Sequence, residues 1–126
     1  MKKLTKKHIK KEMSNLWSLI IRHKGYCEIC LSPFGRLNAH HIIGKRNYNL
    51  RWDLRNGLCC CANCHKLSDG SIHDNPIAFI KWLKVMRPDD YDYLDNDKWN
   101  IKVKRKLSDY INIYNNLKDI YEKINN

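Results

Sequence analysis

The 126-residue sequence has no long apolar run. Stretches such as Leu19-Ile20-Ile21 fall far short of the roughly 20 residues that a membrane-spanning helix needs. The lysine-rich first residues are not followed by an apolar segment with a small-residue cleavage site, so no secretory signal is read and a soluble, cytoplasmic protein is expected. Internal repeats are absent, and the chain length fits one domain with helical extensions. Acidic residues are few, 13 Asp and Glu against 24 Lys and Arg, for a formal net charge of +11. That imbalance favours a polyanionic partner such as nucleic acid without specifying a fold.

Three regions differ in character. Residues 1–25 carry Lys2, Lys3, Lys6, Lys7, Lys10 and Lys11, too crowded for one helical stripe and suited to tracking a nucleic-acid backbone. From Leu4, the residues Ile9, Met13, Leu16, Trp17, Ile20 and Ile21 recur at intervals of three and four, which predicts an amphipathic helix ending near Gly25. Residues 26–87 hold all six cysteines and most histidines. Within them Asn75-Pro76 predicts a helix start, with Asn as cap and Pro in the first turn, and the helix runs to Arg87-Pro88. Residues 88–126 begin with an acidic, turn-rich stretch to Asn100. A last helix is expected from about Ile101, with Leu107, Ile111, Tyr114, Leu117, Tyr121 and Ile124 as its apolar stripe. It is expected to pack onto the domain or to make a modest dimer contact, leaving a monomer or weak dimer.

Cys27-Glu28-Ile29-Cys30 and Cys61-Ala62-Asn63-Cys64 form two Cys-x-x-Cys pairs. Without an export signal a disulfide framework is disfavoured, and two such turns supply the four thiolates of a tetrahedral structural zinc site. Cys59 and Cys60 read as small core residues, with zinc coordination by either one the alternative that breaks the paired spacing. Between the pairs stands Ala39-His40-His41-Ile42, followed by Asn56, and His65 directly follows Cys64. Neighbours on a strand point to opposite faces, so adjacent histidines share a site only at a strand end or bend.

The order Cys-x-x-Cys, His-His-Ile, Asn, Cys-x-x-Cys-His resembles the zinc-bound, phage and bacterial subgroup of the HNH endonuclease family across roughly residues 27–65. Arg51-Trp52-Asp53-Leu54, Asn56-Gly57-Leu58, His73-Asp74-Asn75-Pro76, Phe79 and Trp82 add to the likeness. The flanking helices lie outside it. The resemblance implies an α+β fold with a ββα-metal (His-Me finger) core and a four-cysteine zinc staple, flanked by N- and C-terminal helices. The first strand would lie near 37–43, the second near 57–60, and a short helix from about Ala62 would carry His65. It implies a DNA endonuclease leaving 5′-phosphate and 3′-hydroxyl ends. In that reading His41 is the general base, and His40 (where many relatives have Asp) and His65 ligate the catalytic metal. Asn56 holds the hairpin loop. A histidine in place of the carboxylate leaves Mg²⁺, Mn²⁺, Ni²⁺, Co²⁺ and Zn²⁺ all open.

His73 reads as a third metal ligand, a phosphate contact or a helix-start histidine, the last two being favoured; His8 and His23 read as solvent-facing. Lys45, Arg46, Arg51 and Arg55 are the expected DNA phosphate contacts, Arg51 foremost. Trp17, Trp52, Trp82 and Trp99 are expected in the core rather than as stacking platforms. Small proteins of the family occur in phage DNA packaging beside terminase, in restriction and in mobile elements, which places such a chain in a bacterial host or phage-infected cell. The alternative function is a non-catalytic zinc-stapled DNA-binding module or a packaging adaptor.

Overall fold

A computed structural model of the chain describes residues 4–67 and 70–126. Lys2 and Lys3 lie outside the described residues. The fold is α+β: helix α1 (Lys6–Arg22), strand β1 (Leu37–His41), a 3₁₀ turn (Leu54–Asn56), strand β2 (Gly57–Cys61), a π-type turn (Asn63–Leu67), helices α2 (Pro76–Met86) and α3 (Pro88–Leu94), a 3₁₀ turn (Asp97–Asn100) and helix α4 (Leu107–Ile124). The strands form a two-stranded antiparallel sheet in which Leu37 faces Cys61 and His41 faces Gly57. No helix among the described residues is long and apolar enough to cross a membrane.

Helix α1 follows its sequence signals. The side chain of Thr5 accepts from the His8 N–H as N-cap, and Ile9, Met13 and Trp17, spaced by four, are buried on one face. That face meets α4 through Tyr110 and Leu117 and the loop before β2 through Trp52. The indole of Trp52 donates to the Ser14 hydroxyl at 3.1 Å and that of Trp17 to the Asp53 carbonyl at 2.9 Å, so both buried rings have satisfied N–H groups. Helix α4 thus folds back on α1. A second cluster joins Cys27, Leu58, Cys60, Ile72 and Phe79, with Trp82 beside it. Trp99 is half-buried and donates to the Tyr93 carbonyl, so all four tryptophans serve the interior.

The sheet is small but covered on both faces. Leu58, Cys59 and Cys60 are all fully buried although neighbours alternate. At Gly57 a Cβ would overlap the Ile21 side chain; only glycine lets α1 come this close to the first residue of β2.

Residues 88–94 and 101–106 differ from the sequence-based expectation. Residues 88–94 are helical rather than turn, because Pro88 at the first position and Asp89 and Asp90 in the first turn are favourable at a helix N-terminus. Residues 101–106 are not helical. Asn49 donates to the Trp99 and Ile101 carbonyls and Arg105 to the Tyr48 carbonyl, tying this segment to the loop before β2. Helix α4 begins only at Leu107, where Asp109 accepts from the Lys106 N–H.

Helix α3 is clamped by charge. Asp90 accepts from Arg55 and from Arg87, each at 2.8 Å, and Arg87 also donates to the Gly57 carbonyl at 2.9 Å. Burial pushes the Asp90 carboxyl up, but the hydrogen bonds from Arg55 and Arg87 outweigh it and hold the group below the ordinary carboxylate range. A depressed folded value means the stabilisation is complete above the unfolded value of about 3.9 and is lost as pH falls through the folded value. Thermal melts of the wild type and Asp90→Asn should therefore differ at pH 6 and converge towards pH 3. Parallel curves across that range would show that the clamp carries no pH dependence.

Candidate functional site

The two Cys-x-x-Cys turns meet. Cys27, Cys30, Cys61 and Cys64 stand close enough together to hold a metal ion such as zinc. The Sγ atoms of Cys30 and Cys61 are 3.8 Å apart, and zinc–sulfur bonds of about 2.3 Å at tetrahedral angles require a separation of about 3.8 Å. Each turn points an N–H at its first sulfur, Cys30 to Cys27 and Cys64 to Cys61. At Cys27 burial opposes the thiolate, but backbone donors, Cys30 first and then Cys61 and Ile29, prevail and bring the thiol down to about 7. The first turn is fastened to β2 through Glu28, whose side chain accepts from the Cys59 N–H at 2.7 Å and whose own N–H donates to the Cys59 carbonyl. Cys59 and Cys60 take no part in the cluster. Burial lifts their thiols to about 11 and about 12, as expected of unreactive core residues.

At the end of β1 the consecutive residues His40 and His41 meet different neighbours. His40 turns towards α2, where the ring of Phe79 meets it edge-on. Its Nδ1 lies 3.1 Å from Nε2 of His65, and Nε2 of His73 lies 3.0 Å from that same His65 nitrogen. The ligand atoms of all three histidines fall within 4.8 Å of one another. Bonds of about 2.1 Å from one ion would set nitrogens about 3.0 Å apart at right angles and about 3.4 Å apart at tetrahedral angles. The donor set therefore fits a divalent transition ion. Burial first, then the neighbouring rings of His65 and His73, lowers His40 to about 4, and burial lowers His65 as well. Neutral imidazoles are the form that binds metal.

The structure brings His73 into a group with His40 and His65. His73 lies two residues before the cap of α2 and joins the histidine group rather than starting the helix. The cause is a chain reversal after the π-type turn. The Ile72 N–H donates to the Cys64 carbonyl and the His73 N–H to the His65 carbonyl, laying residues 72–73 beside 64–65. A linear reading of spacing does not reveal this contact. The expected short helix from Ala62 is the π-type turn Asn63–Leu67, which still carries His65.

His41 faces α1. Its ring stacks on Trp17 at 3.9 Å between centroids and 8° between planes. Its Nε2 lies 2.9 Å from the Arg51 carbonyl. A carbonyl only accepts, so Nε2 carries the proton and Nδ1 keeps the lone pair. Burial, with Arg51 and Lys45 nearby, holds His41 below the ordinary histidine value despite that hydrogen bond. One ring nitrogen is thus tied to the loop and the other is left with its lone pair.

Asn56 is fully buried and stitches the loop that carries Arg51. Its Oδ1 accepts from the Ile43 N–H at 2.7 Å, and its Nδ2 donates to the carbonyls of Ile43 and Leu50 at 2.9 and 3.1 Å. Asn56→Ala leaves these buried groups unpaired and should cost about 3 kcal/mol or more, read as a shift in the urea midpoint. A loss under about 1 kcal/mol would show that the loop does not depend on the amide.

The basic residues divide. Lys45 and Arg46 are exposed on the loop. The Arg51 guanidinium sits over the rings of Tyr48 and Trp52 and donates to the Tyr48 hydroxyl. Arg55 is paired within the fold. Its guanidinium is taken up by Asp90 and the Asp89 carbonyl and lies over the Tyr93 ring, so its charge is already answered within the fold. His8 and His23 are exposed, as expected.

Comparison of the chain with protein-family models, with curated proteins and with solved structures gave no match.

Proposed function

We propose that the chain is a metal-dependent DNA endonuclease of the HNH type, with β1, β2 and the turn at 63–67 acting as its ββα-metal core and the four cysteines holding a structural zinc. One observation carries this reading. Consecutive residues at the end of one strand supply a three-histidine group that could hold a metal ion, through His40, and an imidazole oriented by a hydrogen bond, His41. A module that only binds has no need for the second.

A divalent ion held by His40, His65 and His73 would polarise the scissile phosphate and stabilise the leaving 3′ oxygen. His41 accepts at Nδ1 the proton of the attacking water. As that proton arrives, the Nε2–H bond to the Arg51 carbonyl and the face of Trp17 hold the imidazolium in place. Water's oxygen forms the new bond to phosphorus while the bond to the 3′ oxygen breaks, giving 5′-phosphate and 3′-hydroxyl ends. Asn56 acts at a distance by fixing the loop that presents the Arg51 carbonyl. Lys45, Arg46 and Arg51 provide phosphate contacts that carry no sequence information.

The test is supercoiled plasmid incubated with protein that retains its zinc, with Mg²⁺, Mn²⁺, Ni²⁺, Co²⁺ or Zn²⁺ added back. Relaxed or linear product with one of these ions is expected. DNA binding with no product under any ion would replace this reading with that of a binding module.

A further inference from the structure

We propose that the groove between α1 and the loop before β2 is a second phosphate-binding site, which grips the nucleic-acid backbone beside the cut. This deepens the nuclease reading and rests on it for the polymer's identity. The groove has a volume of about 320 Å³ and is lined by Lys7, Lys10 and Lys11 from α1 and by Tyr48 and Arg51 from the loop, with Asn15 at its side. It brings four cations from two elements together, and no carboxylate lines it. Among the described residues the ion pairs involve Lys24, Arg55 and Arg87, and none of these four cations.

Lys7, Lys10 and Lys11 stand at i, i+3 and i+4, neighbours on one helix face, where like charges repel. The first turn of α1 has no acidic residue to offset them, and an anion in the groove would. The cationic heads are not left loose. Lys10 lies over the Tyr48 ring at 5.3 Å, and Arg51 lies over its edge of the groove at 5.4 Å from the same ring. Tyr48 is thus a shared floor that holds charge from both walls. Lys7 to Lys11 cover about 6 Å of helix axis, on the order of one phosphate-to-phosphate step along a strand. That extent fits a polymer backbone better than a single small anion.

Arg51 joins this groove to the catalytic residues. Its side chain lines the groove, while its carbonyl accepts from Nε2 of His41. Phosphate held by the guanidinium would steady the same residue that fixes the general base.

The experiment is fluorescence anisotropy of a labelled 20-base-pair DNA duplex with the full chain, from 50 to 300 mM KCl, with no divalent ion added. The wild type is compared with Lys7→Gln/Lys11→Gln, with Arg51→Ala, and with Lys118→Gln/Lys123→Gln, which removes the same charge from α4. The groove double variant should bind about tenfold or more weakly at 100 mM KCl, and its log–log salt slope should fall by roughly two. Arg51→Ala should lower the slope by about one, and the α4 variant should stay within about twofold of wild type. Groove and α4 variants that behave alike, or wild type that does not bind, would overturn the proposal. Because the readout is binding, the two readings fail separately. Groove-dependent binding without cleavage under any ion keeps the groove and sinks the nuclease. Cleavage and binding untouched by the groove variants do the reverse.

Discussion

His41→Ala will lower the rate of plasmid cleavage by about 10²- to 10⁴-fold, the range over which a positioned general base contributes. The variant keeps the proposed ligands His40, His65 and His73, so Co²⁺ absorption should still report a bound ion. His40→Ala should lose both activity and that signal. The contrast separates base from ligand on adjacent residues. It follows from the strand geometry, which sends one ring to α2 and the other to the face of Trp17. Removing the ring also leaves the Arg51 carbonyl without its partner, so thermal melts must accompany the rates. A His41→Ala protein that is folded, binds Co²⁺ and cuts within about threefold of wild type would remove His41 from the mechanism.

Cys64→Ser will leave the chain largely unfolded. Structural zinc sites contribute on the order of 10–16 kcal/mol of metal-binding free energy, and a small domain has only about 5–15 kcal/mol of total stability. The two figures are of the same size, so the fold should not outlive the staple. Elemental analysis of the purified wild type should give one tightly held zinc per chain, and the variant should lose it together with its cooperative melt. Cys60→Ala is the matched comparison. That thiol belongs to the core packed around Leu58 and Phe79, so zinc should be retained while stability falls modestly. Zinc-free wild type with an unchanged melt would show that the four cysteines are ordinary free thiols.

Spacing and periodicity were informative wherever the determinants are local. The four-residue rhythm of Ile9, Met13 and Trp17, the cap at Asn75, the two cysteine turns and the burial of Cys59 and Cys60 can all be read along the chain. Local signals were also present at Pro88-Asp89-Asp90, but the tyrosines and the short length of the segment masked a helix of seven residues. Segment 101–106 is different in kind. Its conformation is set by Asn49 and Arg105 bonds to a loop fifty residues away, and no window of sequence contains both partners. The same is true of the candidate site. His40 and His65 stand on elements whose pairing the motif order suggests. The approach of His73 depends on a chain reversal, and the stacking of Trp17 on His41 depends on how α1 crosses the sheet. The groove at Lys7, Lys11 and Arg51 likewise exists only once α1 and the loop have docked.

Cys64 and His65 are joined by one peptide bond, yet they belong to different clusters, one of sulfur and one of nitrogen. The two ions proposed for this chain would therefore not load independently. The thiolate site closes a loop of some thirty residues and sets the turn on which His65 rides, so its ion must arrive first. Until then the nitrogen site lacks the central member of its triad, the ring that touches both others. Titration of metal-free protein should then be sequential, with a tight phase that restores structure and a weaker one that appears only after it. On the proposed reading, a newly made chain short of metal would wait at the first step, folded by neither ion and without activity on DNA.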